Sequence, residues 1–141
     1  MLLFHPSAYD AAHYDAPTRE ALLAVRRFFE AKGHAALKAE SHGAAWYDDF
    51  LAMIAREGTF ARFGTPAAVG ALVGGAGATT ARWDTARNND LSQLLAWYSL
   101  EHWYAWQVTV LGLGPVWTSG NAEANRLVGQ LLAQGGVFAF G

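Results

Sequence analysis

The sequence predicts an all-α domain, an orthogonal or up-down bundle of about five helices with a short β-strand at its C-terminal tail. Three observations predict it. Apolar residues recur at helical spacing in separate segments. The connections are short and carry Pro, Gly, Asn or Asp where helices start and stop. An apolar run suited to a strand, VFAFG, appears only at the tail, after a glycine pair. No repeat or low-complexity tract interrupts the pattern, and 141 residues suit one core that buries about two-thirds of the unfolded chain's surface.

The first helix is expected over residues 17–33, opened by Pro17, which is tolerated in a first turn, and stopped by Gly33. Leu22, Val25, Phe28 and Phe29 fall near one face, while Arg19, Glu20, Arg26, Arg27 and Lys32 cover much of the rest. Residues 34–41 either continue it after the glycine break or form a linker. A second helix is expected over 43–58, where Trp46, Phe50, Met53 and Ile54 stand at i, i+4, i+7 and i+8 and Gly58 supplies the stop. Residues 59–80, rich in glycine, read as a loop with one short helical piece after Pro66.

A short helix over 81–88 leads to Asp90, where Asp-Leu-Ser-Gln resembles a capping box for a long helix ending near Gly112, before Gly-Leu-Gly-Pro. This segment is apolar nearly all round, so it belongs at the centre of the domain, with Leu94, Leu95, Tyr98, Trp103, Trp106 and Leu111 meeting neighbours on several sides. Glu101 and His102 stand inside it. Either Glu101 meets solvent or an Arg, or the helix lines a pocket that these polar groups help to shape. Asn121 then caps a last helix whose Leu127, Val128, Leu131 and Leu132 form one stripe, ended by Gly135 and Gly136.

Composition narrows the function classes. With 52% hydrophobic and only 16% charged residues, and six tryptophans, the surface is expected to include area that other domains or subunits cover. A net charge of -2 without a basic run argues against nucleic acid and anionic membrane surfaces. The chain has no cysteine, which removes disulfides, thiolate metal sites and a Cys nucleophile. No apolar run reaches the length of a membrane span, and the N-terminus lacks the basic region of a signal peptide, so a cytoplasmic setting is the default. GGAGATT lacks the Gly-Lys-Ser/Thr ending of a phosphate loop, and GLGPVW has Trp117 where a dinucleotide fingerprint needs a third glycine. His5, His13, His34, His42 and His102 show no HxxxH or HExxH spacing, so no metal site is expected.

Three segments, AVRRFFEAKG, LGLGPVWTSGNAEANRLVGQLLAQGG and the terminal VFAFG, carry a resemblance to the N-terminal helical domain of the acyl-CoA dehydrogenases. In that family a glycine followed by Asn, Asp or Thr and acidic residues opens the domain's last helix. A further glycine ends that helix, and a short apolar strand enters a middle β-domain. Those positions here are Gly120, Asn121, Glu123, Gly135 and residues 137–141. The resemblance implies a helical domain over 1–135 and the first strand of a β-domain over 136–141, within a longer protein.

It also implies FAD-dependent α,β-dehydrogenation of an acyl-CoA thioester. There a carboxylate takes the α-proton while the β-hydrogen leaves as hydride to the flavin. That base belongs to a C-terminal helical domain, so no catalytic residue is expected in this chain. The flavin-contacting segment would begin at Phe140 and Gly141. The central helix would place Trp103, Tyr104, Gln107, Val108 and Leu111 on the acyl-pocket wall, and side chains of that size imply a short, blocked or unusual cavity. The partners implied are acyl-CoA, the β and C-terminal helical domains and, as a homo-oligomer, further copies. Two other functions remain open on the residues alone: a stand-alone helical binding or oligomerisation module, and a ligand-binding bundle such as a haem site using His102.

Overall fold

The computed structural model describes residues 5–43, 47–73 and 85–138, with the side chains of 72 and 73 excepted. Over these residues the chain is all-α. A short 3-10 turn, Pro6–Ala8, precedes α1 (Ala16–Lys32), α2 (His34–Glu40), α3 (Asp48–Glu57), α4 (Thr59–Gly64), α5 (Ala67–Val73), α6 (Thr85–Tyr98), α7 (Leu100–Thr118) and α8 (Ala122–Ala133). The expected five helices are thus eight among the described residues. α7 doubles back along α6, α8 packs on α5, and α1 lies against α3 and α6. The short α4 touches α1, α3, α6, α7 and α8, so it sits at the centre.

The core follows from the apolar stripes. Leu22, Val25 and Phe29 of α1 meet Phe50, Met53 and Ile54 of α3, Phe60 and Phe63 of α4, Leu91, Leu94 and Leu95 of α6, Trp106 and Leu113 of α7 and Leu132 of α8. An aromatic chain runs through it: Phe29 stacks on Tyr98 at 5.0 Å, Phe50 lies 5.9 Å from Phe29 and 6.2 Å from Phe60, and Phe60 lies 4.8 Å from Trp106. Such ring pairs add about 0.5–1.5 kcal/mol each beyond their buried area.

α1 matches the sequence reading, whereas α3 keeps the expected end but begins at Asp48, later than expected. Asp15 caps α1 by accepting from Thr18 N–H at 3.0 Å, and Gly58 ends α3 in the left-handed conformation, φ 62°. Trp46 lies outside the described residues. Residues 34–40 resolve as helix after Gly33 takes φ 77°. Residues 59–64, expected as loop, are helix because Phe60, Ala61 and Phe63 are all buried among neighbours on several sides. Of the short helix expected over 81–88, residues 81–84 lie outside the described residues and 85–88 are the first turn of α6 rather than a separate helix; the glycine-rich stretch 74–80 also lies outside them.

The segment expected to be one helix from Asp90 is divided differently. α6 runs through Asp90 without a cap there, because Asp90 is used across the fold: its Oδ2 accepts from the hydroxyls of Tyr14 (2.9 Å) and Tyr9 (3.1 Å). These bonds fasten the N-terminal segment to α6. The break comes at Ser99, whose extended backbone (φ -160°, ψ 122°) starts α7 as its N-cap.

α7 then continues past Gly112, with Pro115 inside it. A proline crowds the Cβ of the residue before it, and Gly114 has none. The last turn is held by tertiary contact, Trp117 Nε1 donating to Gly64 O at 2.9 Å. Gly64 itself lies where an added Cβ would come within 3.1 Å of Leu113 Cδ1, so α4 and α7 approach closely.

α8 is capped by Asn121, which accepts from Ala124 N–H at 3.0 Å. Its C-terminus closes with Gly136 N–H donating to Leu131 O and Gly135 N–H to Leu132 O, the paired bonds of a Schellman ending. The expected four-residue stripe is narrower, since Leu132 is buried and Val128 half-buried while Leu127 and Leu131 are exposed. No strand occurs among the described residues. The tail that was expected to form one instead lays Phe138 on the core, its N–H donating to Thr109 Oγ1 at 3.4 Å.

Candidate functional site

α7 carries every described residue of the predicted pocket wall, so its two faces decide what the chain can offer. Its inward face is set by His102, Trp106, Thr109 and Leu113, buried at i, i+4, i+7 and i+11. Trp106 Nε1 donates to Ser92 Oγ on α6 at 3.2 Å, which fixes the helix against its neighbour. At 100° per residue the opposite face holds Leu100, Tyr104, Gln107, Val108, Leu111 and Pro115. Leu100, Tyr104 and Leu111 are 65%, 60% and 52% exposed. Residues 102–122 contain no Asp, Glu, Lys or Arg. Glu101, at the edge near the N-terminus, is the one Asp, Glu, Lys or Arg of α7.

The five predicted wall residues therefore divide. Tyr104 and Leu111 point outward, and Leu111 does not meet the interior neighbours expected of it. Gln107 and Val108 are half-buried on either flank. Trp103 turns to the seam and packs against the core. Phe140 and Gly141, the predicted flavin contacts, lie outside the described residues. Leu100 and Pro115 extend the same face; their spacing from Tyr104 and Leu111 is the signal in the sequence that would have added them.

At the N-terminus of α7 a polar cluster closes a shallow crevice lined by Leu37, Glu40, Ser41, Ser99, Glu101 and His102, which encloses no water-sized void. Ser99 Oγ donates to Glu101 Oε2 at 2.7 Å, accepts from His102 N–H at 3.4 Å and lies 2.7 Å from His102 Nδ1. The Ser99 hydrogen bond holds the exposed Glu101 carboxyl below its usual range, so Glu101 takes the solvent-facing reading. His102 stands edge-on to Phe29 and Phe50 at 5.1 and 4.7 Å. Burial, then the Lys32 charge, pull its pKa down to about 4. An imidazole so hard to protonate is a poor general base, and the cluster works as a helix cap.

A second polar knot joins α6 to the start of α1. Buried Arg87 donates to Asp15 and, at 2.7 Å, to Thr18 Oγ1. Burial pushes the Asp15 carboxyl up, but the Thr18 bonds and the Arg87 charge outweigh it and hold the group below its usual range. Its partners are protein groups, which gives it a structural role.

The chain has no significant match among family models, curated proteins or solved structures. No described helix is long and apolar enough to cross a membrane. Among the described residues no group of three or more His, Asp or Glu could hold a metal ion. The outward face of α7 is thus the surface whose chemistry calls most for a partner.

Proposed function

We propose that the chain is the N-terminal helical domain of an FAD-dependent, acyl-CoA dehydrogenase-like oxidoreductase, in which α7 supplies part of the wall around the acyl group. The observation that carries this reading is the outward face of α7: an uncharged surface presenting Tyr104 and Leu111, with Gln107 and Val108 beside them, on a helix whose other side is locked into the core. A hydrocarbon chain fits such a face, because covering it removes apolar area from water at no cost in buried charge. Tyr104 narrows the space beside the helix, which favours a short acyl group.

The diphosphate of FAD does not fit this face, since no Lys or Arg stands on it. On this reading the catalytic base and the flavin site belong to the other domains, so the chain alone is expected to be inactive and to retain no flavin. Its role is to present α7 and to pack against the β and C-terminal helical domains. The same face also favours a second reading, a helical association module with no redox role.

Whether the coding sequence continues past Gly141 into a β-domain decides between them. Expressed whole, it is expected to yield a flavoprotein that oxidises acyl-CoA. Leu111→Arg should then abolish turnover at unchanged flavin content, and Tyr104→Ala should admit longer acyl groups. A continuation without a β-domain, or a product that neither holds flavin nor oxidises acyl-CoA, would overturn the enzyme reading.

A further inference from the structure

We infer that the 141-residue chain, on its own, forms a weak homodimer in which two α7 helices pair antiparallel through their outward faces. This rests on the reading that the face is made to be covered, and not on flavin chemistry. In the absence of other domains, a second copy is the cover whose chemistry the face itself specifies.

Charge is the first argument. The face holds no charged side chain apart from Glu101 at its edge, so a copy laid on it meets no repulsion along its length. Parallel pairing would set Glu101 beside its own mate. Antiparallel pairing sets it beside Gly114 and also opposes the two helix dipoles favourably.

Register is the second. Leu100 and Pro115, Tyr104 and Leu111, and Gln107 and Val108 are pairs equidistant from the midpoint between Gln107 and Val108. A two-fold axis through that midpoint brings each member opposite its counterpart, as an isologous interface requires. Leu100, Tyr104 and Leu111 thereby lose their exposure against Pro115, Leu111 and Tyr104 of the second copy. Gln107, the polar residue nearest the axis, carries an amide that both donates and accepts, so it can bond its own mate.

Area sets the strength. A 19-residue helix is about 28 Å long, and this face offers roughly 500 Å² per copy, against about 800 Å² per partner in stable complexes. The dimer should accordingly dissociate in the micromolar range. The outer face of α8 is a poorer candidate, because Leu127 and Leu131 are flanked by Glu123 and Arg126.

The absence of native cysteine makes the test direct. Sedimentation from low micromolar to millimolar loading should show a monomer–dimer equilibrium. Under oxidation Gln107→Cys should form a covalent dimer. Leu100→Cys should not, because the two copies of residue 100 lie about 22 Å apart along the antiparallel pair. A mixture of Leu100→Cys and Pro115→Cys should give the mixed adduct. Unchanged circular dichroism would confirm that each variant folds. A strict monomer throughout, self-linking of Leu100→Cys, or linking through Leu131→Cys in place of Gln107→Cys would each overturn the proposal. A strict monomer would leave the enzyme reading to the flavin content of the full reading frame. A dimer beside a flavin-free full product would leave the pairing standing and remove the enzyme.

Discussion

His102 is buried between Phe29 and Phe50, and its ionisation links the fold to pH. Burial and the Lys32 charge outweigh the pull of Glu101, Asp49 and Glu40 and lower its pKa from 6.5 to about 4. A lowered folded-state value means that the native state takes its proton later than the unfolded chain does. Above about pH 6.5 both states are neutral and stability is complete. Between 6.5 and 4 the unfolded chain binds a proton that the native state refuses, so up to about 3 kcal/mol is lost. Urea unfolding at about pH 7 and about pH 4.5 should show this decline in the natural protein. His102→Leu should cost about 1–2 kcal/mol at neutral pH but decline much less. Parallel declines in the two proteins would show that His102 is not the sensor. Gly135 is the backbone counterpart. It sits at φ 85°, and a Cβ there would lie 2.3 Å from Ala55 Cβ and 2.8 Å from its Cα. Left-handed strain and overpacking therefore add, and Gly135→Ala should lose about 2–4 kcal/mol in a denaturant titration. A loss under about 0.5 kcal/mol, the usual range of a neutral surface change, would mean that α8 shifts freely against α3.

At the scale of elements, Ser99 separates α6 from α7. Ser99→Ala removes the cap of α7 and the oxygen beside His102 Nδ1, and should cost about 1–2 kcal/mol. Amide exchange in the first turn of α7 should rise with it; unchanged protection there would show that the break does not depend on the cap. How far the sequence disclosed such elements depended on whether their causes are local. α1 and α8 were legible because stripe, cap and glycine stop lie within one segment, and α3 because its stripe and Gly58 stop do, although its start, which has no side-chain cap, was not. α4 was not, since six residues carry too little periodicity and their burial comes from the surrounding helices. Asp90 has the chemistry of a cap, yet it serves Tyr9 and Tyr14, 81 and 76 residues away in sequence. Pro115 looked like a terminator, but the helix continues beyond it, where Trp117 bonds to Gly64 across the fold. The Ser99 break was readable in principle, because a serine followed by Glu101 in the next turn is an N-terminal signal.

At the scale of the whole molecule, the low charge of the chain becomes a matter of where the uncharged area lies. From composition alone, covered surface is an expectation without a place. Residue spacing pointed to a central helix buried all round, but α7 leaves Leu100, Tyr104 and Leu111 exposed on one side. The consequence is a separation of stability from association on a single helix. Tyr104 and Leu111 give the fold little, so Tyr104→Lys together with Leu111→Lys should change unfolding free energy by no more than about 1 kcal/mol. Trp106→Ala and Leu113→Ala, on the opposite side, should each cost about 2–5 kcal/mol through lost burial and cavities. Association should follow the reverse order. The double-lysine chain should stay monomeric and dissolve to higher concentration, because like charges then face each other across any self-pairing. Thermal unfolding and light scattering on the same three variants measure both quantities. If the double-lysine protein unfolds as readily as Leu113→Ala, the outer face of α7 is part of the core's support, and its exposed side chains are not held ready for a partner.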